Sequence, residues 1–247
     1  MTNGTLTLIL DGAAVPCQAG DTVIDAALRA GIYIPHLCFH PEFGPHGSCR
    51  LCMVKVGGRH VAACTTPATA GLAVESDTAE LNELRLRITQ MLFVDGNHFC
   101  PACEQSGQCQ LQATAYELGM HDLHFSPTYP KRTIDASHEE MLLDRDRCIQ
   151  CNLCVRASDR VDGKHVFSLG GRGTETRLMA NSASGLLRDT EFSAADRAAH
   201  VCPVGALLFK HGNYARPIGR RLYDRTSIDR IGNRRAEDAA APEGGAP

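Results

Sequence analysis

The 247-residue chain has no tryptophan, five tyrosines and eight phenylalanines, so aromatics are scarce although apolar content is ordinary. No apolar run reaches about 18 residues, and no membrane span is expected. The opening MTNGTLTLILDG lacks a basic n-region, and its short apolar stretch alternates with polar residues. It therefore reads as a strand and not as a secretory signal. Charge of one sign is missing too: a net charge of −3 gives no overall drive toward nucleic acid or a membrane surface. No Gly-rich dinucleotide fingerprint follows a strand.

Cysteine is what the chain has in excess. Twelve residues, about one in twenty, is dense for a chain expected to stay in the cytoplasm. Under reducing conditions that density points to metal or redox chemistry before disulfides.

The pattern of elements divides the chain into four stretches. Residues 5–10, TLTLIL, alternate as a half-buried strand does, and Asp11-Gly12 is a hairpin signal. A second strand through Val15 leads into GDTVIDAALRAGI, where Asp21 or Thr22 caps a helix. Val23, Ala26, Ala27 and Ala30 form its inner face, and Gly31 stops it. CMVKVGGRHVAAC then reads as a hairpin turning at Gly57-Gly58. This order predicts a small β-grasp domain over residues 1–76. Residues 77–130 predict a helical domain: a long helix capped near Ser76 to Thr78, with an apolar stripe of Leu81, Leu84, Ile88 and Leu92, then a second helix ending near Leu118. Residues 125–133 carry two prolines and read as a linker. A ferredoxin-like unit is expected within 131–214. Over 216–235 seven arginines stand against two aspartates, and the final dozen are mostly Ala, Glu, Pro and Gly. Residues 215–247 are therefore expected to form a disordered, solvated or partner-bound tail. The fold class expected for the whole is α+β.

The cysteines fall into three groups and one stray. Cys38, Cys49, Cys52 and Cys64 give C-x10-C-x2-C-x11-C. Cys100, Cys103 and Cys109 give C-x2-C-x5-C. Cys148, Cys151 and Cys154 give C-x2-C-x2-C, and Cys202 returns in CPVGAL. Two groups have four thiols and the middle one has three, which His98 completes, because a cluster normally takes four protein ligands. In CIQCNLCV the tight spacing lets consecutive sulfurs converge on one cuboidal cluster, with Ile149, Leu153 and Val155 as dry packing. The proline after Cys202 is a familiar neighbour of a [4Fe–4S] ligand. No second C-x2-C-x2-C exists, so Cys202 most simply closes the same cluster. The first group suits a [2Fe–2S] cluster, with a longer first gap than the plant-type spacing.

Competing readings stand beside these. Sets of four thiols, or of three thiols and one imidazole, also make zinc sites. CPAC at 100–103 has the spacing of a thioredoxin-type pair, but that would orphan Cys109. His98 is either the fourth donor or an exposed loop histidine. His36, His40 and His46 flank the first group, which already has four thiols, and read as surface or supporting residues. Arg156 either tunes the last cluster or is solvated. Cys17 reads as a buried small hydrophobe.

PHLCFHP, GSCRLCMVKV, CPACEQSGQCQLQ, RCIQCNLCVR and CPVGAL carry a resemblance spanning residues 5–210. Their order resembles the N-terminal part of the large iron–sulfur subunit of respiratory complex I and the accessory domains of [FeFe]-hydrogenases. At this length the chain is similar to the HoxU-type iron–sulfur diaphorase subunits of NAD-reducing [NiFe]-hydrogenases. The resemblance implies one [2Fe–2S] and two [4Fe–4S] clusters, and a relay that is not itself catalytic. Its partners would be an FMN- and NAD(H)-binding flavoprotein and the small and large [NiFe]-hydrogenase subunits, for the overall reaction H2 + NAD+ = NADH + H+. Alternatives are a relay subunit of an NAD-linked formate dehydrogenase or of a bifurcating hydrogenase and, in another class, a zinc-stabilised RNA-binding module. One departure is visible: the wider family places its cluster histidine four residues before the first cysteine, a slot held here by Gly96.

Overall fold

A computed structural model describes residues 6–211 and 214–233. The N-terminal unit is a five-stranded sheet. Its strands are β1 (Leu6–Leu10), β2 (Ala13–Cys17), β3 (Met53–Val56), β4 (Arg59–Ala62) and β5 (Ala73–Glu75), in the order β2-β1-β5-β3-β4. Both hairpins turn where the sequence predicts, at Asp11-Gly12 and Gly57-Gly58, and all four turn residues have positive φ. That is the backbone a two-residue type I′ turn demands. β5 runs parallel to β1 and closes the grasp. Leu8, Leu10, Val15 and Cys17 alternate inward at 2% exposure or less, so Cys17 is core.

Helix α1 (Val23–Arg29) packs Val23, Ile24, Ala26 and Ala27 onto that sheet. Thr22 and Asp25 form a reciprocal capping box at its start, a device that stabilises a helix end by about 1 kcal/mol. Gly31, with φ of 73°, turns the chain away just past its end.

Helix α2 (Ala79–Asp95) starts at a Thr78 cap, as expected. Three of the four stripe residues pack inward as predicted: Leu81 is fully buried, and Ile88 and Leu92 pack against the core around Leu111. Leu84 is 38% exposed, and the deeply buried positions also include Arg85, Thr89 and Gln90. The reason lies in what α2 covers: loop backbone of the first unit, whose carbonyls need donors. Arg85 Nε and Nη2 donate to the carbonyls of Leu51 and Met53 at 3.1 and 2.8 Å. Helix α3 (Gln110–Glu117) follows and packs on α2.

The third unit has a three-stranded sheet of β6 (Ile134–Asp135), β7 (Met141–Asp144) and β10 (Leu207–Phe209), ordered β10-β7-β6. A hairpin of β8 (Phe167–Gly170) and β9 (Arg177–Ala180) and the helices α4 (Leu153–Arg160) and α5 (Arg197–His200) complete it.

The expectation of a disordered tail from residue 215 does not hold over 215–233. Tyr223 N donates to Gly107 O at 2.9 Å, and Arg221 pairs with Asp224 at 2.8 Å. Ile228, in the short helix α6 (Ile228–Ile231), is fully buried. Asn233 Nδ2 donates to Gln110 Oε1 at 3.0 Å, and Tyr33 Oη donates to Asn233 Oδ1 at 2.9 Å. One buried isoleucine and these pairings tie an otherwise polar segment down. Residues 234–247 lie outside the described residues.

Among the described residues no helix is long and apolar enough to cross a membrane.

Candidate metal centres

Cys38 lies in the loop after α1, Cys49 and Cys52 precede β3, and Cys64 follows β4. Their thiols form two close hydrogen-bonded pairs, Cys38 with Cys49 and Cys52 with Cys64. Within each pair one thiol is drawn down by the hydrogen bond from its partner, Cys38 to about 6 and Cys64 to about 7. The Cys49 amide also donates to Cys38 Sγ, at 3.3 Å. Two pairs of sulfurs suit a two-iron cluster, in which each iron takes two protein thiolates.

The other two donor sets each line a pocket. Cys148, Cys151, Cys154 and Cys202 line one with Ile149, Leu178, Val204 and Leu207 among the apolar walls. His98, Cys100, Cys103 and Cys109 line the other with Phe93 and Leu111. Two pockets, each lined by four donors and apolar walls, fit two groups of one kind.

His98 supplies the clearest sign. Its Nε2 is buried and has no hydrogen-bond partner among the described residues, and the residue lines the middle space. Burial first, and then the charge of Arg147, press its pKa down to about 4, so the imidazole is neutral at neutral pH. An unpartnered lone pair in a buried ring is costly unless something accepts it. The slot four residues before Cys100 is Gly96, and the His98 ring lies over it. A Cβ built on Gly96 would lie 2.4 Å from His98 Nε2 and 2.8 Å from the Asp146 carbonyl. The His98 ring thus occupies the space over residue 96, and glycine is what leaves it free. We expect Gly96→Ala to displace the ring at about 1–3 kcal/mol of overpacking strain. Iron analysis of the variant should show selective loss from the middle site, and full retention would refute that role for Gly96.

Burial raises Cys100, Cys103 and Cys109 of the middle set, with Cys109 pushed up to about 12, and Cys148, Cys151 and Cys154 of the third, with Cys148 at about 11 and the other two higher still. Such thiols become thiolates only against a cation held between them. Among the described residues no three His, Cys, Asp or Glu side chains converge on a single-ion site. Tetrahedral zinc with Zn–S bonds near 2.3 Å would need sulfurs about 3.8 Å apart. A four-iron cluster holds its four thiolates wider than this, since each binds a different iron.

The third donor set shares walls with both others. Cys38 packs in the same apolar cluster as Cys151 and Cys154. On the other side, residues 204–206 form a partition one chain thick: Val204 and Ala206 line the third space and Gly205 lines the middle one. A Cβ at Gly205 would sit 3.0 Å from Cys103 Sγ.

One residue here, Arg147, had no sequence signal. Arg147 Nη1 lies 3.6 Å from Cys103 Sγ while Arg147 pairs with Glu104 and Asp144. His36 is buried with Nδ1 2.7 Å from Ile34 O, a structural role, whereas His46 is exposed. His40 stacks on Phe43. Arg156 is neither solvated nor turned to the last cysteine set alone: its guanidinium bonds the loop of the first set, donating to the Cys38 carbonyl and to Gly44 O, the latter at 2.9 Å.

A β-grasp unit with paired thiols, followed by two four-donor cavities, defines an iron–sulfur protein of ferredoxin-type domains. Comparison with known families agrees. Residues 3–79 match a 2Fe-2S iron-sulfur cluster binding domain, 85–124 the NADH-ubiquinone oxidoreductase-G iron-sulfur binding region, and 141–209 a 4Fe-4S single cluster domain. The chain is 39% identical over 225 residues to the gamma subunit of the NAD-reducing hydrogenase HoxS of Cupriavidus necator, covering 91% of this chain and 95% of that one. It is 32% identical over 205 residues to the mitochondrial NADH-ubiquinone oxidoreductase 78 kDa subunit of Candida albicans, of which it spans 28%. A chain in a crystal structure of an NAD+-reducing [NiFe]-hydrogenase in the H2-reduced state superposes with a TM-score of 0.90 at 53% identity. That match covers 92% of this chain and 97% of the other. The protein belongs to the family of HoxU-type iron–sulfur subunits, which includes the HoxS gamma chain.

Proposed function

We propose that the chain is the electron-relay subunit of an NAD-reducing hydrogenase complex. It would pass single electrons between an FMN- and NAD(H)-binding flavoprotein and a [NiFe]-hydrogenase of small and large subunits. The observation that carries this reading is the contiguity of three four-donor sets within one chain. Cys38, Cys49, Cys52 and Cys64 would hold a [2Fe–2S] cluster in a domain of residues 1–76. His98, Cys100, Cys103 and Cys109 would hold a [4Fe–4S] cluster in residues 77–130. Cys148, Cys151, Cys154 and Cys202 would hold the second [4Fe–4S] cluster in residues 131–214.

A cluster, when bound, takes up and releases one electron at a time. The chain's own residues do the rest. Thiolates and the neutral His98 imidazole anchor each group, and Leu153, Leu178, Leu111 and Val204 keep water out. Cys103, held against Gly205, brings the middle donors close to the third set. In this reading the third set, which packs against both others, stands between them, so that electrons pass first set, third set, middle set, an order that differs from that along the sequence.

With eleven of its twelve cysteines committed to one-electron carriers, the full chain alone should accept electrons from dithionite yet oxidise no NADH. Adding the flavoprotein should restore NADH-driven reduction. Robust NADH–dye turnover by the highly purified chain, without flavoprotein, would overturn the relay reading.

A further inference from the structure

Three arginines are buried, Arg85, Arg145 and Arg156, at 2%, 5% and 6% exposure. Each donates to backbone carbonyls, and none of the three forms an ion pair with a carboxylate among the described residues. Their neighbours do pair: Arg147 with Asp144 and Glu104, Arg132 with Asp95, and Arg197 with Glu42. A buried guanidinium without an anion is strongly unfavourable, because carbonyl dipoles replace only part of its hydration. Each of the three abuts a cysteine set. Arg85 bonds the carbonyls on either side of Cys52, and Arg145 stands in the short turn that leads into Cys148.

Arg156 is the exceptional one. It projects from α4, two residues after Cys154, so its backbone belongs to the third set. Its guanidinium bonds the carbonyls of Cys38 and Gly44 and lies 5.8 Å from the centre of the Phe43 ring, so its charge sits on the first set. As cluster ligands the thiols of Cys38, Cys151 and Cys64, drawn from both sets, would carry negative charge that acts on it. Arg160 beside it donates to Phe43 O and adds a second positive charge. Glu42, in the same loop, is taken up by Arg197.

We propose that Arg156 is the shared counter-charge of the first- and third-set clusters, a positioning residue that raises both reduction potentials together. The proposal rests on the cluster assignment above. Thiolate-bound clusters are negatively charged, and reduction adds another negative charge. A fixed buried cation near both therefore favours the reduced form of both and keeps them poised for exchange. Arg is suited to this place because it cannot lose its proton and its planar fork spans two carbonyls.

The test is potentiometric EPR of the anaerobically prepared full chain carrying Arg156→Met or Arg156→Lys, with iron content measured first. At wild-type iron content, Arg156→Met should shift the reduction equilibrium of the first and third clusters at least tenfold toward oxidised. For one electron that is about 59 mV. The middle cluster should not move. Arg156→Lys, which keeps the charge but cannot fork across both carbonyls, should retain both midpoints. Unshifted midpoints in Arg156→Met, or an equal shift in Arg156→Lys, would overturn the counter-charge role. Should Arg156→Met fail to hold its clusters, Arg156→Lys decides alone: retained midpoints support the proposal and lowered ones refute it. Iron missing from the wild-type chain would instead strike the cluster assignment.

Discussion

Replacing Cys202 by serine should cut the relay at its centre. Cys202 follows α5 and lines the space shared with Cys148, Cys151 and Cys154. That set has a wall in common with each of the other two. A hydroxyl is a poor ligand for iron in a buried, sulfur-lined site, so the third cluster should be lost or crippled while the first and middle clusters form. Changes to residues that merely support metal ligands already cost 10–100-fold. Loss of a ligand at the central node should lower hydrogen-driven NAD+ reduction in the assembled complex by at least about 100-fold. Reduction of the flavin by NADH, which needs no cluster of this chain, should persist. Coupled turnover measured beside flavin reduction separates the two. Retained coupling with the third cluster demonstrably absent would mean that the first and middle clusters exchange directly.

Removing the His98 imidazole should empty one site and spare two. Its Nε2 is the only donor in the middle set that is not a thiol, and it has no hydrogen-bond partner among the described residues. His98→Ala should drop the iron content from about ten to about six atoms per chain, with the signals of the first and third clusters intact. His98→Cys should keep a cluster at lower potential, because a thiolate is the more electron-rich donor. The neutral state of His98 fits this role, since an imidazolium could not bind iron. Ten iron atoms in His98→Ala would assign the fourth ligand elsewhere.

Much of this was legible in the sequence because the residues concerned have local signatures. Asp11-Gly12 and Gly57-Gly58 need positive φ, and such pairs mark tight hairpins wherever they fall. Thr22 and Asp25 stand at capping-box spacing, and cysteine is rare enough that its grouping is itself informative. What was not legible depends on contacts between distant residues. The Arg156 to Cys38 contact spans 118 positions, and no local pattern announces it. The buried polar face of α2 was hidden because Arg85 is buried by carbonyls of another unit, against the rule that charged residues stay outside. The ordering of 215–233 was missed because arginine-rich composition suggests solvation, whereas a single buried Ile228 and the Asn233 hydrogen bonds suffice to dock the segment. The third donor set's place beside both others follows from tertiary packing, which sequence order does not encode.

The central claim is that three four-donor sets hold one two-iron and two four-iron clusters. Iron, zinc and acid-labile sulfide in the anaerobically reconstituted full chain test it most directly. We expect about ten iron atoms and a matching amount of sulfide per chain, with negligible zinc. Stoichiometric zinc, or iron near six with the His98 site empty in the unmodified chain, would contradict it.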